Sequence, residues 1–480
     1  MVRSKKLFAL AAAGALVLAA CGSDDDASTD TEAPAETEAP ADTEAPTDSE
    51  APADTEAPTD GEAPEDTEAP DDGGEAYAVD LEACEDPDAA SAPIEGNIKI
   101  GTSIPLSGGP AAVWAPIGAG QQAYIDYYNA EFGGVNGQQL ELVAKDDQYT
   151  ADLTKANVDE LIFDDEVAAL TSIVGTAHNL AIQAETNAQC VPQLWAATGA
   201  PEWGDLENYP WTTGMLVPYP VEAEAWAQYV VDTYGEGATV AIFAANNDFG
   251  AVYVDAFTES AEAHGIEIVA QESIEATDSG APSGQMTNLV AAAPDAILAA
   301  PLGAQCIAFM TELGNARAAN PDFNPDTYVT ATCASSIIFG VVTNGGSTGV
   351  FTSNNLKDVG NEEVVASDEE VARYIEAFTA AAPDADPAGI GAAGWNAMEL
   401  TVHNIQEAAD AGNLSRQGIM DAARNINYES GLLLNGLVYS MDANDAFISE
   451  GTQLRQWDGS GFVSVGDVID LEGTLGTFGG

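Results

Sequence analysis

The stretch Ala168–Pro201 constrains what this chain can fold into more than any other. Two apolar runs, Ala168–Val174 and Val191–Ala197, have the length of buried strands, and Leu180, Ile182, Ala184 and Ala188 between them follow a helical pattern. Strand, helix and strand in so short a span make a β-α-β unit. Each strand run ends in a small-residue turn that carries a threonine: Gly175-Thr176-Ala177 and Thr198-Gly199-Ala200. Both turns then lie on the carboxyl edge of a parallel sheet, where open α/β sheets bind ligands. Thr176 stands where the helix begins, so free N–H groups and the helix dipole favour an anion there. A threonine at that place also serves as an ordinary N-cap; the second threonine loop favours the ligand reading.

The same alternation runs through the chain. Strands are expected at Ile98–Pro105, Leu140–Ala144, Thr239–Ala244, Ile266–Ala270, Ala296–Ala300, Tyr328–Thr332 and Gly349–Ser353. Helices are expected at Gln121–Glu131, Ala151–Phe163, Val221–Thr233, Phe249–His264, Gln285–Ala293 and Cys306–Ala318. Further helices follow near Asp368–Ala381, Ala392–Ala411 and Ser415–Asn425, then a terminal β region over Leu437–Ile469. Two serial βαβα arrays imply an α/β protein with two doubly wound lobes.

The N-terminus reads as an address. Arg3, Lys5 and Lys6 precede an apolar run, Leu7–Ala19, too short to remain as a spanning helix, which marks residues 1–20 as an export leader. Leu18-Ala19-Ala20-Cys21 resembles the bacterial lipobox, whose cysteine is diacylated after export, so Cys21 is the expected lipid-bearing residue of a protein held on the extracytoplasmic face of a membrane. Residues 21–80 read as a disordered tether. From Thr31 to Asp72 the chain repeats every six residues as TEAPAE, TEAPAD and variants, with no lysine or arginine between Gly22 and Asp80. Such a segment has almost nothing to bury. Its prolines and like charges extend it, to a reach on the order of 100 Å at ~3.1 Å per residue. Thr/Pro repeats of this kind are also candidates for glycosylation.

The formal net charge is -67, and the tether does not account for it: from Leu81 onward there are 57 acidic and 9 basic residues. This balance excludes nucleic acid as a partner, since phosphate binding needs the opposite sign. It suits a high-salt medium in which screening reduces self-repulsion. With Cys21 assigned to lipid, Cys84, Cys190, Cys306 and Cys333 remain, an even number that allows three pairings in an exported chain. Cys84–Cys190 and Cys306–Cys333 are expected. No cysteine pair has C-x-x-C spacing and histidine is scarce, so no metal site is expected. Asp442-Ala443-Asn444-Asp445 lacks the glycine and later ligands of a calcium loop.

The run IKIGTSIPLSGG from Ile98, the turn GGVNG at Gly133–Gly137, the strand ending Lys145-Asp146-Asp147 and the unit VPQLWAATGAP from Val191 together resemble periplasmic binding proteins of the leucine/isoleucine/valine type. The likeness covers about Ile94 to Ile469. It implies the type I periplasmic-binding fold, two Rossmann-like lobes joined by a three-segment hinge, here divided as 94–213 with 351–433 and 214–350 with 434–480. It implies an ABC importer's solute-binding lipoprotein, a monomer that takes a branched-chain amino acid or a related amide or carboxylate between its lobes and delivers it to a permease with its ATPase. A ligand-binding module that signals to a membrane receptor is the alternative, and a cell-wall stalk would explain the tether but not the cradle. In the family, hydroxyls and N–H groups of two loops hold the ligand carboxylate; these map onto Gly175, Thr176, Ala177, Ala197, Thr198 and Gly199. Trp114 takes the place of an aromatic that packs on the ligand. Phe249 stands where a tyrosine is usual, and Leu302 and Thr332 lie on second-lobe segments that close over the ligand. The family's acid for a ligand ammonium is absent from Ala331-Thr332-Cys333-Ala334-Ser335, which leaves another acid such as Asp248, or a ligand without an amine.

No catalytic residue and no cofactor is expected. Gly345-Gly346-Ser347-Thr348-Gly349 matches G-x-S-x-G, the mark of a serine hydrolase, but a nucleophile elbow needs a helix after the serine and Val350–Ser353 reads as strand, with only His403 downstream as a base. The chain has no Walker loop, no G-x-G-x-x-G and no H-E-x-x-H.

Overall fold

A computed structural model describes residues 76–476. The leader at 1–20, Cys21 and the acidic repeats lie outside the described residues. The tether was expected to run to residue 80, yet Tyr77–Asp80 already belongs to the folded body. Asn425, just past the end of a later helix, brackets Tyr77, accepting from its N–H at 2.8 Å and donating to its carbonyl at 2.8 Å, and Val79 is buried. The apolar side chains of Tyr77 and Val79 give this end of the segment something to bury, which the repeats lack.

After a short helix α1 (Pro87–Ser91), the first array runs β1 (Ile98–Ile104), α2 (Ala111–Phe132), β2 (Leu140–Asp146), α3 (Ala151–Phe163), β3 (Ala169–Thr171), α4 (Thr176–Ala188), β4 (Gln193–Ala196) and β5 (Thr212–Gly214). The second runs α5 (Tyr219–Tyr234), β6 (Thr239–Asn246), α6 (Asp248–His264), β7 (Glu267–Glu275), α7 (Ser283–Ala292), β8 (Ala296–Ala300), α8 (Ala304–Ala319), β9 (Asp326–Val329), α9 (Ser336–Gly340) and β10 (Val350–Asn354). The chain then returns through α10 (Glu362–Ser367), α11 (Glu369–Ala381), α12 (Gly391–Asp410) and α13 (Arg416–Arg424). It ends in β11 (Asn427–Tyr428), β12 (Tyr439–Ser440), β13 (Gly451–Trp457), β14 (Phe462–Ser464) and β15 (Ile469–Asp470).

The first sheet is parallel in the order β2-β1-β3-β4-β5. The second continues β7-β6-β8-β9-β10 in parallel and adds β13 and β14 antiparallel at the β10 edge. Both orders reverse direction after their first strand, between β1 and β3 in one sheet and between β6 and β8 in the other. That reversal opens a crevice at the strand carboxyl ends.

Sequence composition explains the layers. Along β6, Val240, Ile242 and Ala244 enter one core while Ala241 and Phe243 enter the core on the opposite face. A central parallel strand buried on both faces reads as a continuous apolar run, and each large side chain so buried contributes about 1.5–3 kcal/mol. β7, at the sheet edge, is mostly half-buried or exposed, with only Ile274 buried, and is longer than its apolar run suggested.

Two departures from the sequence reading bear on the site. Helix α2 starts at Ala111, ten residues before the expected Gln121, and runs through Pro116, Gly118 and Gly120. These residues disfavour a helix locally, but α2 crosses α12 so closely that a Cβ on Gly120 would fall 2.0 Å from the Gly391 carbonyl and one on Gly394 2.0 Å from that of Ile117. The helix is held by this tertiary contact rather than by propensity. The division between the lobes also shifts. β10 pairs with β9, so the return to the first sheet comes after Asn354. Leu437, Tyr439, Met441 and Ile448 pack into the first core, so the last crossover lies just before Gly451 rather than at 434. Hydrogen-bonding to an existing sheet edge and apolar contact decided both places.

Both expected disulfides form. Cys84–Cys190 closes a span of 106 residues and ties the N-terminal extension to the end of α4. Cys306–Cys333 joins the first turn of α8 to the turn after β9.

Candidate functional site

The two threonine loops meet as the sequence spacing requires. Beyond the ends of β3 and β4, Val174 and Ala197 form one more parallel bridge, which keeps the loops side by side. β3 stops earlier than its apolar run because Ser172 takes a left-handed φ of 49°, a strained conformation for a side-chain-bearing residue. Gly175 follows with φ 103°, and a Cβ there would lie 2.6 Å from Nδ1 of His178. Only glycine fits the turn into α4.

The hydroxyls form a directed relay. Tyr219, at the start of α5, donates to Thr198 Oγ1 at 3.3 Å, and Thr198 and Thr176 share a hydrogen bond of 2.7 Å. Thr198 Oγ1 also accepts from the Ala200 N–H at 3.4 Å; with both of its lone pairs engaged, its own proton goes to Thr176, and the Thr176 proton is left to donate onward. α4 has no side-chain cap, and its first helical bond is from Asn179 N–H to the Gly175 carbonyl. The N–H groups of Thr176, Ala177 and His178 therefore remain as donors at the positive end of the helix dipole.

These groups border a cavity of about 150 Å³ that reaches both switch points. Trp114, Gly175, Thr176, Ala197, Phe249, Leu302 and Thr332 all line it. Trp114 is stacked with Tyr149, ring centroids 6.3 Å apart. Phe249 is set by Asn247, whose side chain caps α6 by accepting from Gly250 N–H at 3.1 Å. Ala177, Thr198 and Gly199 are not among the lining residues. Thr198 acts from behind, through Thr176, and the Gly199 carbonyl accepts the Tyr219 N–H at 2.7 Å, holding the relay's tyrosine in place.

Asp248 is exposed and does not line the cavity. Two other acids line it: Asp358, after β10, and the buried Glu222, in the first turn of α5. Oε2 of Glu222 accepts from the Tyr328 hydroxyl at 2.6 Å and from the Ala331 N–H at 3.1 Å. Burial raises its pKa to about 7 against the opposing effect of those two hydrogen bonds. Sequence reasoning missed it because one glutamate among so many carries no local mark. Its placement depends on α5 packing against the loop after β9, which carries no acid of its own. Tyr149, Val217 and Tyr219 also line the cavity without a sequence signal.

A family model described as "Periplasmic binding protein" matches residues 97–461. The chain belongs to the periplasmic binding protein family. No curated protein matches it. Among solved structures it is similar to a branched-chain amino acid ABC transporter protein from Thermus thermophilus with bound valine, at 15% identity and TM-score 0.69 over 79% of this chain and 99% of that one. It is similar to a fatty acid ABC transporter substrate-binding protein from Thermomonospora curvata, at 19% identity and TM-score 0.66 over 79% of this chain and 94% of that one. It is also similar to a solute-binding protein from Rhodopseudomonas palustris in complex with 4-hydroxybenzoate, at 17% identity and TM-score 0.64 over 78% and 97%. The fold is that of the type I periplasmic binding proteins, and the chain is a binding protein for a small solute.

The remaining motifs are structural. Ser347 is buried and donates to the Phe339 carbonyl at 2.9 Å, ahead of strand β10 rather than a helix. His403 stacks on Tyr428, and burial lowers its pKa. Among the described residues no helix is long and apolar enough to cross a membrane, and no group of three or more His, Cys, Asp or Glu is placed to hold a metal ion.

Proposed function

We propose that this chain is the solute-binding subunit of an ABC importer, anchored at Cys21 and presented above the membrane by its acidic repeats as a monomer. Its solute is a small molecule whose carboxylate or amide oxygen sits at Thr176. The observation that carries this reading is the relay from Tyr219 through Thr198 to Thr176 beside the uncapped first turn of α4, bordering a cavity that reaches both switch points. An oxyanion there gains charge-assisted hydrogen bonds and meets the helix dipole. The apolar body of the solute packs on Trp114, Phe249 and Leu302.

Capture is hinge closure. The solute docks on the Thr176 side, and the lobe that carries Phe249 and Thr332 turns about the crossovers to cover it. Closure is favoured by contacts available only when both lobes touch the solute. The closed face is then what a permease reads. Glu222 in the same cavity supports a branched-chain amino acid as the first ligand to examine, its ammonium facing that carboxyl group.

Titration calorimetry in high salt with amino acids, their deaminated acids and their amides tests the reading. Thr176→Val removes the terminal donor and should weaken a bound carboxylate about tenfold or more. Unchanged affinity in that variant would remove the main support for the cradle.

A further inference from the structure

The cavity does not end at the threonine loops. Its inner wall is the hinge itself: Leu216 and Val217 before α5, Asn355 and Leu356 after β10, and Thr452 at the start of β13. These belong to the three segments that cross between the sheets. Into this end projects Arg455 of β13, which stands opposite Thr352 of β10 in the antiparallel pairing.

The polar groups here are strongly buried and poorly satisfied. Arg455 is 7% exposed, Thr352 and Thr452 0%, Ser172 1% and Asn355 9%. Oγ of Ser172, Oγ1 of Thr352, Oγ1 of Thr452 and Nδ2 of Asn355 have no hydrogen-bond partner among the described residues. Arg455 makes one hydrogen bond, from NH2 to the Leu356 carbonyl at 2.6 Å. No carboxylate lies within ion-pair distance of it among the described residues. Two other charges border this end. Lys357 is committed to Asp368 at 2.7 Å and to the Gly431 carbonyl at 2.9 Å. Asp358 accepts the Gly360 N–H at 3.0 Å and acts on Arg455 only from a distance.

The contrast with other buried arginines is informative. Arg416 donates twice to the Val167 carbonyl, Arg424 donates to the carbonyls of Pro210 and Thr212 and leaves Nη1 without a partner, and neither lines the cavity. Their forks tie chain segments together. Arg455 has the same fork, spends one donor on a carbonyl, and lines a ligand cavity together with unpaired hydroxyls and an amide. Buried polar groups are normally paired, and a buried guanidinium is matched to an oxygen acceptor.

We propose that the hinge end of the cavity is a second polar subsite, centred on Arg455, which takes an oxygen acceptor at the far end of the solute. Resting on the carboxylate reading of Thr176, this changes the solute ranking from a branched-chain amino acid, whose aliphatic side chain offers Arg455 no acceptor, to a carboxylic acid with a second terminal acceptor, a dicarboxylate before all others. A dianion suits this chain despite its negative surface. Inside the cavity the α4 terminus and Arg455 stand against Glu222, which burial keeps largely neutral below its pKa of about 7, and against Asp358 and Lys357, whose charges are opposite, while surface charge is screened beyond about 10 Å in 0.1 M salt. Contact with Asn355 and Thr452 also lets the solute engage two of the crossovers about which the lobes turn.

The test is titration calorimetry on the full chain in high salt with straight-chain monocarboxylates, dicarboxylates of equal length and the corresponding half-amides, four to eight carbons long. Dicarboxylates should bind about tenfold or more tighter than monocarboxylates of the same length, with half-amides between them. Arg455→Gln should remove that preference and leave monocarboxylate affinity within about threefold, whereas Thr176→Val should weaken every member of the series. Thr452→Val, nearly isosteric, gives a milder loss confined to the dicarboxylates and serves if Arg455→Gln does not fold. Equal affinities across the series, or a loss in Arg455→Gln that is the same for mono- and dicarboxylates, overturns the subsite. If Thr176→Val leaves all affinities unchanged, or no carboxylate binds, the cradle reading fails and the subsite with it.

Discussion

Replacing Glu222 by glutamine should make the protein less sensitive to rising pH, by an amount that follows from the burial of this one side chain. Glu222 is 2% exposed, and its pKa is raised from 4.5 to about 7. Below pH 4.5 the carboxyl is protonated in both the folded and the unfolded chain, and it contributes no pH dependence. Between pH 4.5 and 7 the unfolded chain releases the proton while the folded chain keeps it. The folded state then binds more protons than the unfolded one, so stability falls as pH rises. Above pH 7 both states are ionised and the penalty is constant. A rise from 4.5 to about 7 corresponds to about 3 kcal/mol, most of which develops between pH 5 and pH 8. Glutamine keeps an acceptor for the Tyr328 hydroxyl and the Ala331 N–H but has no proton to lose. Urea unfolding of wild type and Glu222→Gln at several pH values in high salt gives a difference curve in which the other acidic groups cancel. The variant should gain about 2–3 kcal/mol on wild type from pH 5 to pH 8. A curve flat to within about 0.5 kcal/mol would show that Glu222 is ionised in the folded state and would refute the reasoning, since one pKa unit is worth about 1.4 kcal/mol.

The remaining expectations are simpler. Reducing Cys84–Cys190, which spans 106 residues, should cost more than reducing Cys306–Cys333, which spans 27; loop-closure entropy gives about 4.8 and about 3.6 kcal/mol, and paired serine variants compared by urea unfolding check the order. Gly175→Ala forces a side chain into a φ of 103° and against His178, which should cost about 1–3 kcal/mol and should disturb Thr176; a variant with unchanged midpoint and ligand affinity would show that this turn is not constrained.

The alternation of short apolar runs with helical stretches was enough to predict two parallel α/β arrays, because each run is a local pattern whose period shows in a few residues. The two threonine loops were legible for the same reason: a small-residue turn at the end of a buried strand sits on the carboxyl edge whatever the rest of the fold does. Even the cysteine pairing could be narrowed, since few residues competed. What the sequence hid is what distant packing decides. Helix α2 begins among a proline and two glycines because α12 lies against it, not because those residues favour a helix. Glu222 is one acid among 79, and only the approach of α5 to the loop after β9 makes it a cavity residue. Thr176 and Arg455 are far apart in the chain, yet both border one cavity once the last crossover returns a strand to the second sheet. Local periodicity determined the elements of this protein and the edge on which it binds. The chemistry of the cavity depends on which buried polar groups the assembled sheets leave without partners, and that is a property of the tertiary structure alone.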